Sequence, residues 1–158
     1  MPSRLDQILD RVVEIQRTIP GIVRAYPLPP FDLAAADTPC FVNVPAASPG
    51  DVRFHAAGLQ RVETVIHMDL VVGFAESAES LIALQRKATA FRDVVLETFA
   101  RHVRLSRPAD GVPDLDFVAH AFIESHGPMM IEDTGTSRSL IYRFTLRVVE
   151  KFAAGVFV

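Results

Sequence analysis

Residues 62–74, VETVIHMDLVVGF, alternate two sets of side chains without a break. Val62, Thr64, Ile66, Met68, Leu70, Val72 and Phe74 fall on one side, and Glu63, Val65, His67, Asp69 and Val71 on the other. Successive side chains of a strand point to opposite faces, so this period of two predicts a long antiparallel strand with one face buried. Directly afterwards the period changes. Within 76–103, Leu81, Leu84, Ala88, Phe91, Val95 and Phe99 recur at spacings of three and four, which predicts a helix with one apolar stripe. Glu76 and Glu79 lie near its positive amino end, and Arg101, His102 and Arg104 near its negative carboxyl end. Pro108 and Gly111 break the pattern.

Upstream, Leu5, Ile8, Leu9, Val12, Ile15 and Ile19 mark an amphipathic helix over 3–19, opened by a Ser3–Asp6 capping box and closed by Pro20-Gly21. Residues 22–26 and 40–44 are short apolar pieces among prolines, which donate no ladder hydrogen bond, so both are expected at a sheet edge or strand start. Residues 45–61, PAASPGDVRFHAAGLQR, form a long connection expected to act as an interaction element. Downstream, 116–125 and 138–150 alternate again and predict two neighbouring long strands. Between them HGPMMIEDTGTS (126–137) is expected as a second, turn-rich interaction loop. The sum is one α+β domain over 1–158: one antiparallel β-sheet packed by two helices, in two layers, with long projecting loops.

Composition agrees with a packed domain. The chain has 158 residues, 49% of them hydrophobic and 22% charged, enough apolar surface to offset the entropy of ordering and to exclude disorder. Eleven Phe against two Tyr and no Trp assign the aromatic residues to the core. A net charge of −3 provides no field for holding nucleic acid or an anionic membrane. Lys87 and Lys151 are the only lysines beside fourteen arginines, a bias toward bidentate carboxylate contacts and interfaces. The single cysteine, Cys40, reads as a small core residue. Charges thread the amino-terminal segment as they do not in a signal peptide, and no apolar run is long enough to span a bilayer. A soluble protein made in a reducing cytoplasm is expected.

No Gly-x-Ser-x-Gly, Gly-x-Gly-x-x-Gly, phosphate-cradling loop, cysteine pair or His-Glu-x-x-His occurs, and no cofactor is expected. The nearest approach to a site is a polar cluster of His67 and Asp69 on one strand with His120 and Glu124 on another, which would ligate a metal if the strands brought them together. Solvent exposure of the outer sheet face accounts for the same residues. His55 and His126 lie in the two loops without partners at defined spacing, and Ser48-Pro49-Gly50-Asp51 and Ser137-Arg138 suit turns. Placement is more informative. Val52, Arg53 and Phe54 in one loop and Met129, Met130 and Ile131 in the other are the candidate subunit or partner interface.

Ile19-Pro20-Gly21-Ile22, Tyr26 with Pro29-Pro30, Asp37 with Pro39, and the closing Tyr142-x-Phe144-x-Leu146, in this order of elements, resemble the tail-terminator, or tail-completion, group of tailed-phage neck and tail proteins. The resemblance implies a virion component without catalysis, located in the tail or neck and made in the host bacterial cytoplasm. It implies a homo-oligomeric ring, usually a hexamer, that caps the tail tube and joins it to the head connector. DNA would pass through its lumen without specific binding, and no membrane is involved. Two other classes stay open: a small metal-binding or hydrolytic domain using the His/carboxylate cluster, and a non-catalytic bacterial interaction module.

Overall fold

The Ser3 hydroxyl accepts a hydrogen bond from the Asp6 amide at 3.0 Å, and the Asp6 carboxylate accepts one from the Ser3 amide at 3.1 Å. This reciprocal cap fixes the start of helix α1 (Arg4–Arg17), as the sequence predicts. In the computed structural model, residues 2–46, 53–54, 59–133 and 135–153 are described. After α1 come strand β1 (Arg24–Tyr26), a single 3-10 turn (Ala35–Asp37), β2 (Cys40–Ala46), β3 (Arg53–Phe54) and β4 (Leu59–Ala75). Helix α2 (Ala78–Ala100), capped by Ser77, then leads to β5 (Val118–Asp133) and β6 (Arg138–Ala153).

The strands form one sheet in the order β1-β2-β4-β6-β5, with the two-residue β3 paired to β4 beside this path. The class is α+β, one sheet packed by two helices. All pairings are antiparallel except at one edge, where β1 runs parallel to β2. The connection through residues 27–39 explains this exception, because it carries the chain back to the end from which β1 started, as a tight hairpin would not.

The period-two reading of β4 holds as far as Val72; a register shift between Val71 and Gly73 then turns Gly73 toward Leu84 of α2 and puts Phe74 on the face of Asp69 and Val71, opposite to the expectation. Ile66, Met68, Leu70 and Val72 are buried against the helices, and in register beside them stand Leu146, Phe144 and Tyr142 of β6. Ile8, Val12 and Ile15 of α1 and Ala88, Phe91, Val95 and Phe99 of α2 complete the same core. Both helices therefore cover one face of the sheet. A buried amide pair, Gln16 on α1 with Asn43 on β2, anchors the first helix there.

The segment expected as a second loop is not one. Met129, Met130 and Ile131 belong to β5, in register with Tyr142, Ile141 and Leu140, and the connection to β6 is confined to residues 134–137. The register shift between His126 and Met129 is the physical reason: the strand bulges at Gly127-Pro128 and then resumes pairing. Of the other long connection, 47–52 and 55–58 lie outside the described residues, while Arg53–Phe54 pairs with Gln60 and Arg61 as a hairpin arm on β4.

Candidate functional site

Beyond the core, the informative surface is the sheet face turned away from the helices. On β4 it carries Glu63, Val65, His67, Asp69 and Val71, and in register on β6 Val149, Arg147, Thr145, Arg143 and Ile141. A face exposed to water alone would be polar throughout, whereas this one interleaves aliphatic residues with a ladder of ion pairs. Arg143 grips Asp69 through two bonds, Nε to Oδ1 at 2.7 Å and Nη2 to Oδ2 at 3.0 Å. Arg147 stands between two strands, donating from Nε to Glu124 of β5 and from Nη1 to Glu63 of β4. The carboxylate partners raise both guanidinium pKa values, Asp69 that of Arg143 and chiefly Glu124 that of Arg147.

These pairs decide the fate of the polar cluster. His67 and Asp69 lie on β4, His120 and Glu124 on β5, and β6 runs between them. Two strand spacings put them about 10 Å apart. Both carboxylates are engaged by arginines of the intervening strand, His120 stacks on Phe122 at 5.7 Å, and His67 Nδ1 faces the Thr145 hydroxyl at 3.4 Å. The four residues therefore do not converge, and no group of three or more metal-ligating side chains occurs among the described residues. His126, expected in a loop without a partner, is in β5 and pairs through Nδ1 with the Tyr142 hydroxyl at 2.7 Å.

The candidate interface residues separate. Met129 packs against the edge of the core, Met130 is half-buried, and Ile131 is exposed on the outermost strand. Arg53 and Phe54 are placed by their backbone pairing with β4, and Val52 lies outside the described residues, as do His55 and the Ser48–Asp51 turn. Cys40 is fully buried, and burial, helped by Asp37, pushes its thiol up to about 11, in keeping with a core role.

The sequence reading missed the part played by the proline-rich segment. Pro29 to Leu33 cross one end of the uncovered face and wall a groove of about 480 Å³. Its floor is aliphatic, from Val42, Val71 and Ile141, and Asp32 and Glu132 stand at its rim. Phe31 at its edge is fully exposed, 108% by relative area. An isolated Phe between prolines carries no periodic signal, so pattern alone could not have found it. A second cleft, of about 420 Å³, is lined by Ser77 and Glu76 at the start of α2 and by Asp133, Ser137 and Arg138 of the β5–β6 turn, so it presents both signs of charge.

Compared with known proteins, the chain matches no protein family and no curated sequence. No helix among the described residues is long and apolar enough to cross a membrane.

Proposed function

We propose that this protein is a structural, ring-forming component of a phage or prophage tail, in the terminator (tail-completion) position. There it would cap the tail tube and join it to the head connector. The observation that carries this reading is the sheet face opposite the helices: buried Val71 and Val149 and half-buried Val65, Ile141 and Thr145 interleaved with arginine-carboxylate pairs, flanked by the sixteen-residue edge strand β5. Such a surface suits contact with protein, since its aliphatic strips favour burial and its ion pairs fix register. The long strands that carry it give a rigid frame on which neighbouring copies can meet in a closed, heterologous arrangement. The order of elements and the proline-bearing motifs of residues 19–39 supply the link to tail terminators.

Imaging tests the reading. The purified protein, mixed with assembled tail tubes that lack their terminator, is expected to form rings bound at one end of each tube. Scattered binding along the tube wall, or tubes left bare at both ends, would overturn it.

A further inference from the structure

Two surfaces at opposite ends of α2 are complementary in charge. At the carboxyl end the chain turns through residues 101–105, and Arg101, Val103 and Arg104 of this turn are exposed. Val103 is 54% exposed, an aliphatic side chain left in water with an arginine on either side of it in the sequence. Arg101 meets Glu97 at 3.9 Å with both side chains exposed, a pair that water largely screens. Arg104 meets no carboxylate among the described residues. The turn is held from three directions: the Leu105 amide donates to the His102 carbonyl at 2.8 Å, the Ala121 amide to the Val103 carbonyl at 2.6 Å, and Arg11 Nη1 to the Leu105 carbonyl at 2.7 Å. A surface fixed in advance loses little conformational freedom on docking.

The groove beside Phe31 is the complement. It has an aliphatic floor and a rim bearing Asp32 and Glu132, and no Lys or Arg side chain lines it. An adjoining cleft, which shares Asp32, Leu33 and Phe74 with it, adds Glu76 from the amino end of α2. Asp69, at the margin of the groove, is neutralised by Arg143, whereas Asp32, Glu76 and Glu132 form no ion pair among the described residues. Uncompensated carboxylates around an aliphatic floor suit an apolar side chain flanked by arginines, and the turn at 101–104 has that composition. It cannot serve the groove of its own molecule. Glu76 and Arg101 stand at opposite ends of the 23-residue helix, about 34 Å apart at the helical rise.

We infer that the basic turn bearing Arg101, Val103 and Arg104 of one copy docks into the acid-rimmed groove beside Phe31 of the next copy. Val103 meets the aliphatic floor, and the two arginines meet the carboxylates of Asp32, Glu76 and Glu132. This rests on the reading that copies of the chain join one another, and it names the two surfaces that do so. The contact is heterologous, because turn and groove are different surfaces, so each copy has one of each to offer and successive copies close into a ring or continue as a filament. Its charge component weakens as ionic strength rises.

The test uses two variants of the full chain. Arg104→Glu reverses the turn and Glu132→Arg reverses the rim, and both positions are exposed, so the core is left untouched. Light scattering of the wild type is expected to show a multimer whose mass falls with added salt, and each variant alone is expected to stay at monomer mass with an unchanged circular dichroism spectrum. Mixing the two variants is expected to restore the multimer, because the native turn of one meets the native rim of the other and the reversed turn meets the reversed rim. Single variants that retain the wild-type mass would overturn the contact while leaving the ring reading in place. Variants that remain monomeric when mixed, beside a multimeric wild type, would overturn the pairing of turn with groove in the same way. A wild type that stays monomeric at every concentration would overturn both the contact and the ring reading.

Discussion

Gln16 of α1 and Asn43 of β2 exchange two side-chain hydrogen bonds, each 2.8 Å long, and neither residue is exposed to solvent. Asn43 also donates to the Tyr26 carbonyl at 2.9 Å, so a single side chain ties the helix, the second strand and the edge strand together. Two amides facing each other satisfy what either alone would leave orphaned in an apolar setting.

Replacing one partner is therefore costly. Asn43→Leu or Gln16→Leu is expected to lower stability by about 1–3 kcal/mol, the price of a buried polar group left unpaired. The double variant is expected to lose less than the sum, because it orphans only the Tyr26 carbonyl. Urea denaturation of the four proteins measures this, and strict additivity would contradict it.

Arg11 is a second clamp. Although 8% exposed, its Nη1 donates to the Leu105 carbonyl at 2.7 Å and to Asp114 at 2.8 Å, and its Nε reaches Glu14 at 3.1 Å. Leu105 is held at φ 48°, a left-handed conformation that costs a leucine about 1–2 kcal/mol. Arg11→Met keeps the packing of the stem but leaves that carbonyl without its charged donor. Amide exchange across 103–115 is expected to speed up more than exchange in β4 and β6, and uniform acceleration would contradict a local clamp.

His102 sets a pH dependence. Its Nδ1 lies 2.6 Å from the Ser106 hydroxyl, and burial is the main cause holding its pKa below the usual histidine value of 6.5. The unfolded chain then takes up the proton first. The stabilisation is full above pH 6.5 and is lost as pH falls through that value toward the lower pKa of the folded state. His102→Gln is expected to flatten this part of the stability profile, and a variant with the same slope as the wild type would contradict the assignment.

Cys40 should be inert. With its thiol pushed up to about 11 and no exposed surface, it is expected to react slowly with a thiol reagent at pH 8 in the native protein and quickly in denaturant. Equal rates in both would contradict its place beside Val71 in the sheet.

Helices and central strands were legible in the sequence because their burial is periodic. Ile66, Met68 and Leu70 alternate with His67 and Asp69, and only a sheet buried on one face makes that order favourable. The reach of β5 was not legible. Gly127 and Pro128 read as chain breakers, whereas a bulge absorbs them and pairing resumes at Met129. Register was hidden as well: no spacing along the chain discloses that Arg143 meets Asp69, or that Arg147 stands between Glu63 and Glu124. The spacing of the His/carboxylate set along the chain is that of a metal site, whereas β6 runs through the middle of it. The groove beside Phe31 depends on where residues 27–39 cross the sheet, a tertiary fact with no local signature.

Assembly into a ring is tested most directly by the mass of the purified wild-type protein, measured by light scattering over a wide concentration range. That mass is expected to rise with concentration toward six times the 17.4 kDa of one chain. A mass fixed at that of a single chain throughout the range would contradict it.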